Sequence, residues 1–462
     1  MNADRLASAA ARIVGAAHVL RDEESRAAYG MDALERGRPA DVVIRPGTTA
    51  EVSALARLCH DARVPLTPRG AGTGYTGGAV PTAGGVVLAL DRFDRILEID
   101  PPNLLAVVQP NVVTAAVQAA VEALGLFYPP DPASLHRSAI GGNVAECAGG
   151  PRAFKYGTTR HYVLGLEAVL PTGEVIRTGG KSVKNVVGYD LTQLLVGSEG
   201  TLAILTEVTL RLVPRPAAAR TLRAVFPDVD TAVNAVLGMV ADGIVPAAIE
   251  IIDGECLAAI AASGAEPPAP PGAAVLLLIE VDGSPAAVDA DLPGVLAVCR
   301  SAGASDLRTA RDGEEREALW RVRRDLSPAL RRLAPLKINH DVVVPRARVP
   351  ELFRAVASLR AASGLRMACF GHVGDGNIHV NILLDPADAA ALARARDAER
   401  RLFEAVLALE GSISGEHGIG FTKAPYLGLE LSPEAIALHR RLKHAFDPHG
   451  ILNPGKIFPP EA

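Results

Sequence analysis

PRGAGTGYTGG, Pro68 to Gly78, puts glycine at Gly70, Gly72, Gly74, Gly77 and Gly78. Few side chains stand between its backbone N–H groups and a ligand. Such loops form nests for anionic oxygens, and Arg69 adds a fixed positive fork. Gly72, Gly74 and Gly77 match G-x-G-x-x-G, and Asp91 or Asp94 lies near the distance of a ribose-binding acid. The dinucleotide fingerprint, however, needs a helix opening at its third glycine. The chain continues GAVPTAGGVV, which cannot be that helix. A P-loop fails as well: GGKS at 179–182 ends correctly, but Val175 stands where the first glycine belongs. The loop therefore excludes two common nucleotide folds, and standing alone it reads as a tight turn.

The rest of the chain narrows the class. At 462 residues it is too long for one ordinary core, and 49% hydrophobic with 21% charged residues describes a globular protein. A net charge of -5 without a dense basic patch gives no footprint for nucleic acid. Cys59, Cys147, Cys256, Cys299 and Cys369 form no C-x-x-C pair, which argues against a disulfide framework or a structural zinc site. The first twenty residues read as an amphipathic helix rather than a signal peptide, and no run is long enough to span a bilayer. The expected location is cytoplasmic, with peripheral contact at the inner face of the membrane as the alternative.

From Asp41 to about Pro216 short strands alternate with helices and glycine loops, the mixture of an α+β fold. A hairpin is expected to turn at Thr172-Gly173, and VPRPAAAR reads as a boundary. Beyond it the pattern predicts a long helix over DGEEREALWRVRRDLSPALRRL, then a strand over KINHDVVVP. AEPPAPPG, residues 265–272, reads as a surface loop. The expected division is 1–216, 217–410 as a cap, and 411–462 as a C-terminal segment that completes the site and packs back on the first part.

Two further glycine-punctuated stretches accompany the first, SAIGGNVAECAGGPRAFKYGTTRHY and VGYDLTQLLVGSEGTLAILTEVTLRL. In that succession the chain resembles the vanillyl-alcohol-oxidase-like flavoenzymes, and more closely their D-2-hydroxyacid dehydrogenase branch. D-lactate dehydrogenases, the glycolate oxidase catalytic subunit and D-2-hydroxyglutarate dehydrogenase belong to that branch. The resemblance runs from about Asp41 to Phe458. It implies a two-subdomain FAD-binding domain and an α+β cap with an antiparallel sheet. Pro68, Arg69, Gly70, Ala71, Gly72, Thr73, Gly74 and Gly78 would wrap the FAD pyrophosphate. Pro132, Ser134, Gly141, Gly142, Asn143 and Ala145 would lie along the ribityl chain and ring, with Gly149, Gly150, Tyr156 and Gly157 continuing that wall. Glu199, Gly200, Ile204 and Asn453 complete the implied cofactor set. The first loop lacks the histidine that tethers flavin in some members, so the FAD is expected to be non-covalent. Cys147 stands where relatives carry asparagine.

A second constellation begins at GHVGDGNIHVN, Gly371 to Asn381. If NIHVN is a strand, Asn377, His379 and Asn381 share a face, with His372 in the preceding turn. Downstream, SGEHGIG sets Glu416 beside His417 in a segment too irregular for a helix interior, their adjacent side chains expected to point apart. His372, His379 and Glu416 offer two imidazoles and a carboxylate, a set that leaves positions open on a divalent ion, Zn²⁺ first, with Mn²⁺ and Fe²⁺ as alternatives. The resemblance implies that this is the metal site, that His417 is the general base, and that Arg323, Ser327 and Lys337 recognise the substrate carboxylate with Asn381 nearby. Arg323 and Ser327 are spaced i, i+4 and so share a helix face.

The implied reaction takes a D-2-hydroxy acid to the 2-oxo acid, with hydride passing to flavin N5 and metal-assisted loss of the hydroxyl proton to His417. D-lactate, glycolate and D-2-hydroxyglutarate stay open as substrates. A quinone, a cytochrome or an electron-transfer flavoprotein would accept the electrons, and a homodimer fits the branch. The rival reading is a non-catalytic or electron-relay FAD subunit of a larger oxidase, which would be expected to lack the metal and base motifs.

Overall fold

The computed structural model describes residues 3–263, 269–270 and 272–459. The expected 265–272 surface loop lies mostly outside the described residues. The chain forms two compact units: Met1–Gly149, Thr158–Arg215 and Glu416–Ala462 make the first, and Gly150–Gly157 with Pro216–Gly415 make the second. The linear boundary falls within VPRPAAAR, between Arg215 and Pro216.

The first unit holds two principal sheets. In the smaller, parallel strands Val42–Ile44, Val86–Ala89 and Leu66–Arg69 carry a short antiparallel edge at Val19–Leu20. The helix Thr49–Ala62 buries Val52, Leu55, Ala56 and Cys59, spaced three and four apart, against this sheet. Thr48 caps its start by accepting from the Glu51 amide. The larger sheet is antiparallel, in the order Ile96–Asp100, Leu105–Val108, Ile204–Arg211, Val163–Val169, Val175–Gly179. Its last two strands are the expected hairpin through Thr172-Gly173.

The second unit is built on a seven-stranded antiparallel sheet. Ala248–Asp253, Arg366–His372, Asn377–Leu384 and Leu336–Val343 are consecutive neighbours in it. Register sets Glu250 opposite His372, Phe370 opposite His379, and His379 opposite Asp341. Directly opposed residues share a face, and alternation adds Lys337, Asn339 and Asn381 to the same side. That face also carries Ile252, Leu278, Ala368 and Leu383, on which Leu326, Ala329 and Leu330 of the helix Gly313–Leu333 are packed. Polar groups thus sit at the margin of an apolar core. The segment Gly150–Gly157 joins this unit through Asp282, which accepts from Lys155 Nζ at 2.6 Å and from the Tyr156 hydroxyl at 2.7 Å. Among the described residues, no helix is long and apolar enough to cross a membrane.

Candidate active site

In the first unit the glycine loops converge. The strand Leu66–Arg69 delivers the chain into residues 70–78, where Gly72 (φ +67°) and Gly77 (φ +83°) take left-handed conformations closed to most side chains. Among the described residues, the amides of Gly70, Ala71, Gly72, Thr73 and Gly74 donate to no other group. Space near them is held by backbone closeness: a Cβ at Gly77 would lie 2.0 Å from the Phe421 ring, and one at Gly200 would lie 2.9 Å from Pro68 Cγ. Gly142 is open, with no atom within 4 Å of where its Cβ would be.

Among the described residues, two buried acceptors beside these loops have no hydrogen-bond partner. Asn453 donates its Nδ2 to the carbonyls of Gly78 (2.9 Å) and Glu199 (2.8 Å), which leaves Oδ1 buried and unbonded. Asn111 Oδ1, close to Gly70, is buried and unbonded too. Buried polar atoms are nearly always satisfied. An open run of amides beside orphaned acceptors fits a ligand that brings both anionic oxygens and donors, as a bound FAD does.

Other implied cofactor residues serve this region through the backbone or from behind it. Arg69 donates Nη1 to Met31 O at 2.6 Å and lies over the Tyr29 ring. Asn143 donates to Thr114 Oγ1 at 2.7 Å, and Ile204 lies in the hydrophobic core. The carbonyls of Pro132 and Ser134 close turns, and that of Ala145 accepts from the Glu199 amide at 2.8 Å. Cys147 has φ +54°, the left-handed C-terminal cap position of the helix Ile140–Glu146. Asparagine tolerates that conformation best among side-chain-bearing residues, which gives a physical reason for the asparagine expected there.

The Glu199 carboxylate accepts from the Ile419 amide at 2.7 Å and the Gly420 amide at 2.6 Å, and so holds the chain immediately after His417. Burial pushes the Glu199 and Glu146 carboxyls up, and Glu199 and Asp32 push Glu146 well above the ordinary range. Glu199, with two amides and the cations Lys423 and Lys456 near it, is the one suited to carry the charge. A Cβ at Gly418 (φ +76°) would sit 2.1 Å from Glu146 Oε2, so only glycine fits between these acids. Thr76 Oγ1 donates to His417 O at 3.0 Å, and the Tyr75 ring lies 5.5 Å from the His417 ring. Glu416 Oε1 approaches His417 Nε2 to 4.0 Å. The two side chains lean together rather than point apart, because this irregular segment lacks the alternation of a strand.

In the second unit the sheet face gathers its own set of polar groups. Glu250 is fully buried between two basic partners: Oε2 accepts from Arg323 Nε, and Oε1 bonds His372 Nδ1. Burial alone raises its carboxyl, but Arg323 and His372 outweigh it and hold it down at about 2. Arg323 lies 4.6 Å from the centre of the Phe370 ring. The His379 ring is 5.3 Å from Phe370 and 5.4 Å from His372, edge to face with the latter. Asp341 Oδ1 accepts from Asn377 at 2.6 Å and lies 3.9 Å from His379 Nδ1. Its Oδ2 accepts from the Gly415 amide at 2.9 Å, and Glu416 follows by one peptide bond.

Lys337 Nζ donates to Ser327 Oγ at 2.7 Å. Burial, with Arg331 and Arg323 adding to it, pushes Lys337 down to about 8. Asn381 is fully buried, donating to Ala368 O and His379 O and accepting from Asn339 Nδ2. Its amide is hydrogen-bonded within the sheet, on the face that carries His379. Glu250 and Asp341 were not singled out from sequence. A lone glutamate inside the apolar strand AIEIID was the available signal, since a buried charge needs partners.

Comparison with known proteins then decides the family. A model of the FAD linked oxidases, C-terminal domain, matches residues 215–457, and a model of the FAD binding domain matches residues 40–179. The chain belongs to the FAD-linked oxidase family. It is 44% identical to the glycolate oxidase subunit GlcD of Bacillus subtilis (strain 168), over 95% of this chain and 93% of that one. It is 37% identical to a D-lactate dehydrogenase of Archaeoglobus fulgidus, over 90% of this chain and 91% of that one. The solved structure of p-cresol methylhydroxylase superposes with a TM-score of 0.81 at 18% identity, covering 98% of this chain and 96% of that one, and shows the fold alone. This FAD-linked oxidase is an FAD-dependent oxidoreductase of the vanillyl-alcohol-oxidase-like type, with two FAD-binding subdomains and an α+β cap.

Proposed function

We propose that this FAD-linked oxidase oxidises a small D-2-hydroxy acid, D-lactate or glycolate first and D-2-hydroxyglutarate next, to the 2-oxo acid. The observation that carries the reading is the arrangement around Glu250. One buried carboxylate serves Arg323 and His372, while the half-buried Lys337 adds a second cation close by. Glu250 is the carboxylate bonded to Arg323, since Asp341 on the same sheet face accepts from Asn377 and the Gly415 amide, so a substrate carboxylate would complete the charge around Arg323 and Lys337. Glycolate oxidase and D-lactate dehydrogenase appear in the names of relatives that span nearly the whole chain. The electron acceptor is proposed to lie outside this chain, as the word subunit in one relative's name suggests.

In this reading Arg323 offers its terminal nitrogens to the substrate carboxylate, because Nε is already held by Glu250. Lys337, steered by Ser327, adds the point charge. His372, its Nδ1 bonded to Glu250, forms the proposed metal-ligand set with His379 and Glu416. Support for adding Glu416 is chain continuity, since Asp341 beside His379 also holds the Gly415 amide. A divalent ion there, Zn²⁺ first, supplies Lewis acidity to the α-hydroxyl, and FAD supplies the acceptor for the Cα hydride. His417 removes the hydroxyl proton, as imidazoles do near neutral pH.

Anaerobic flavin bleaching with a panel of D- and L-2-hydroxy acids tests the reading without any acceptor. Rapid bleaching by D-lactate or glycolate is expected; no bleaching by any 2-hydroxy acid refutes it, and favours the electron-relay alternative.

Lys337 adds a pH signature. With its ammonium pushed down to about 8, it is charged below that pH and neutral above it. An anionic substrate needs the charged form, so kcat/KM should fall as the pH rises above about 8. Lys337→Met should raise KM about tenfold at pH 7 and erase that alkaline limb. A limb that survives the substitution belongs to another group.

A further inference from the structure

We propose that Glu250 is a positioning residue that couples substrate-carboxylate recognition at Arg323 to metal ligation at His372. The inference rests on the reading above and goes beyond it by naming a residue expected to touch neither substrate nor metal. Glu250 stands on a strand whose neighbours Ala248, Ile249, Ile251 and Ile252 are buried and apolar. A carboxylate there is costly, and the ion pair as a whole adds little to stability, since a buried pair is often replaceable by apolar residues without loss, although losing one partner alone is destabilising. Its use lies in geometry. The two oxygens go to two different basic groups, one each.

Each bond settles an orientation. The bond to Arg323 Nε, with Phe370 beneath the guanidinium, fixes its plane and turns its two terminal nitrogens outward as a fork. The bond to His372 Nδ1 puts the proton on that nitrogen and the lone pair on Nε2, the arrangement a metal-ligating imidazole takes. Contacts close a ring through five side chains: Glu250, Arg323, Phe370, His379 and His372. No member can turn without disturbing its neighbours. Filling one end therefore preorders the other, and by linkage the effect is reciprocal.

The test uses the FAD-loaded, full-length protein and Glu250→Gln, which keeps size and hydrogen-bonding capacity but loses the second acceptor oxygen. Zinc affinity is measured by competition with a chromophoric chelator, and kcat and KM are measured at saturating zinc. Expected in the folded variant are a zinc Kd raised about 10–100-fold and a KM raised about tenfold or more, with flavin content near wild type. A merely structural role would lower Tm and leave both constants of the folded protein unchanged. If either constant stays within about twofold of wild type, the coupling is wrong. Should Glu250→Gln fail to fold, Glu250→Asp keeps the charge but is too short to reach both partners, and the same two losses are expected; wild-type constants overturn the proposal. Wild-type protein that binds no zinc overturns the metal reading itself, an outcome visible before any substitution is made.

Discussion

Replacing His417 with alanine is expected to slow substrate-driven flavin reduction by about 10²–10⁴-fold while FAD content stays at the wild-type level, the usual range for loss of a general base. The expectation of an intact fold comes from how the residue is held. Its carbonyl accepts from Thr76 Oγ1, and the next two amides along the loop, Ile419 and Gly420, are gripped by Glu199. None of these bonds involves the imidazole. The His417 side chain is 19% exposed, so truncation opens no large cavity. Stopped-flow bleaching at saturating D-lactate or glycolate measures the effect directly. Bleaching at the wild-type rate would remove His417 from the chemistry. A loss of bound flavin would instead make it a cofactor-holding residue.

Much of this architecture was legible from sequence where local chemistry controlled it. Alternation along NIHVN placed Asn377, His379 and Asn381 on one strand face, and they lie there. The text after Gly77 could not be a helix, and the chain there runs through turns into the strand Val86–Ala89. Spacing of i, i+4 set Arg323 and Ser327 on one face of the helix Gly313–Leu333. What stayed hidden was partnership. Glu250 lies 122 positions from His372 and 73 from Arg323, and no local rule joins residues so far apart. Only strand pairing, Ala248–Asp253 against Arg366–His372, brings them opposite one another. Asn381 shows the converse. Its position on the face was readable, but its commitment to Ala368, His379 and Asn339 depends on both neighbouring strands. The attachment of Gly150–Gly157 to the second unit through Asp282 was hidden for the same reason.

Removing the metal should be at least as damaging as removing the base. Dialysis against a strong chelator is expected to cut turnover by about 10³-fold or more, and added Zn²⁺ or Mn²⁺ should restore it, with FAD retained throughout. Unassisted, an α-hydroxyl is a very weak acid, comparable to water at a pKa of about 15.7, whereas imidazole titrates near about 6.5. A general base acting in concert with hydride loss need not close that gap outright, but a divalent ion that can lower the pKa of a bound oxygen to about 7 would ease the transfer. In the proposed site the protein's part lies in the second unit, where the buried imidazoles of His372 and His379 stand edge to face and His372 bonds Glu250 through Nδ1. Chelation and His417→Ala should therefore fail to add: once the hydroxyl cannot be acidified, losing the base costs little more. Measuring bleaching in chelated wild type, metal-loaded His417→Ala and chelated His417→Ala decides this. Independent, multiplying losses would place the ion and His417 in separate steps, and full activity in the chelated wild type would remove the ion from the reaction.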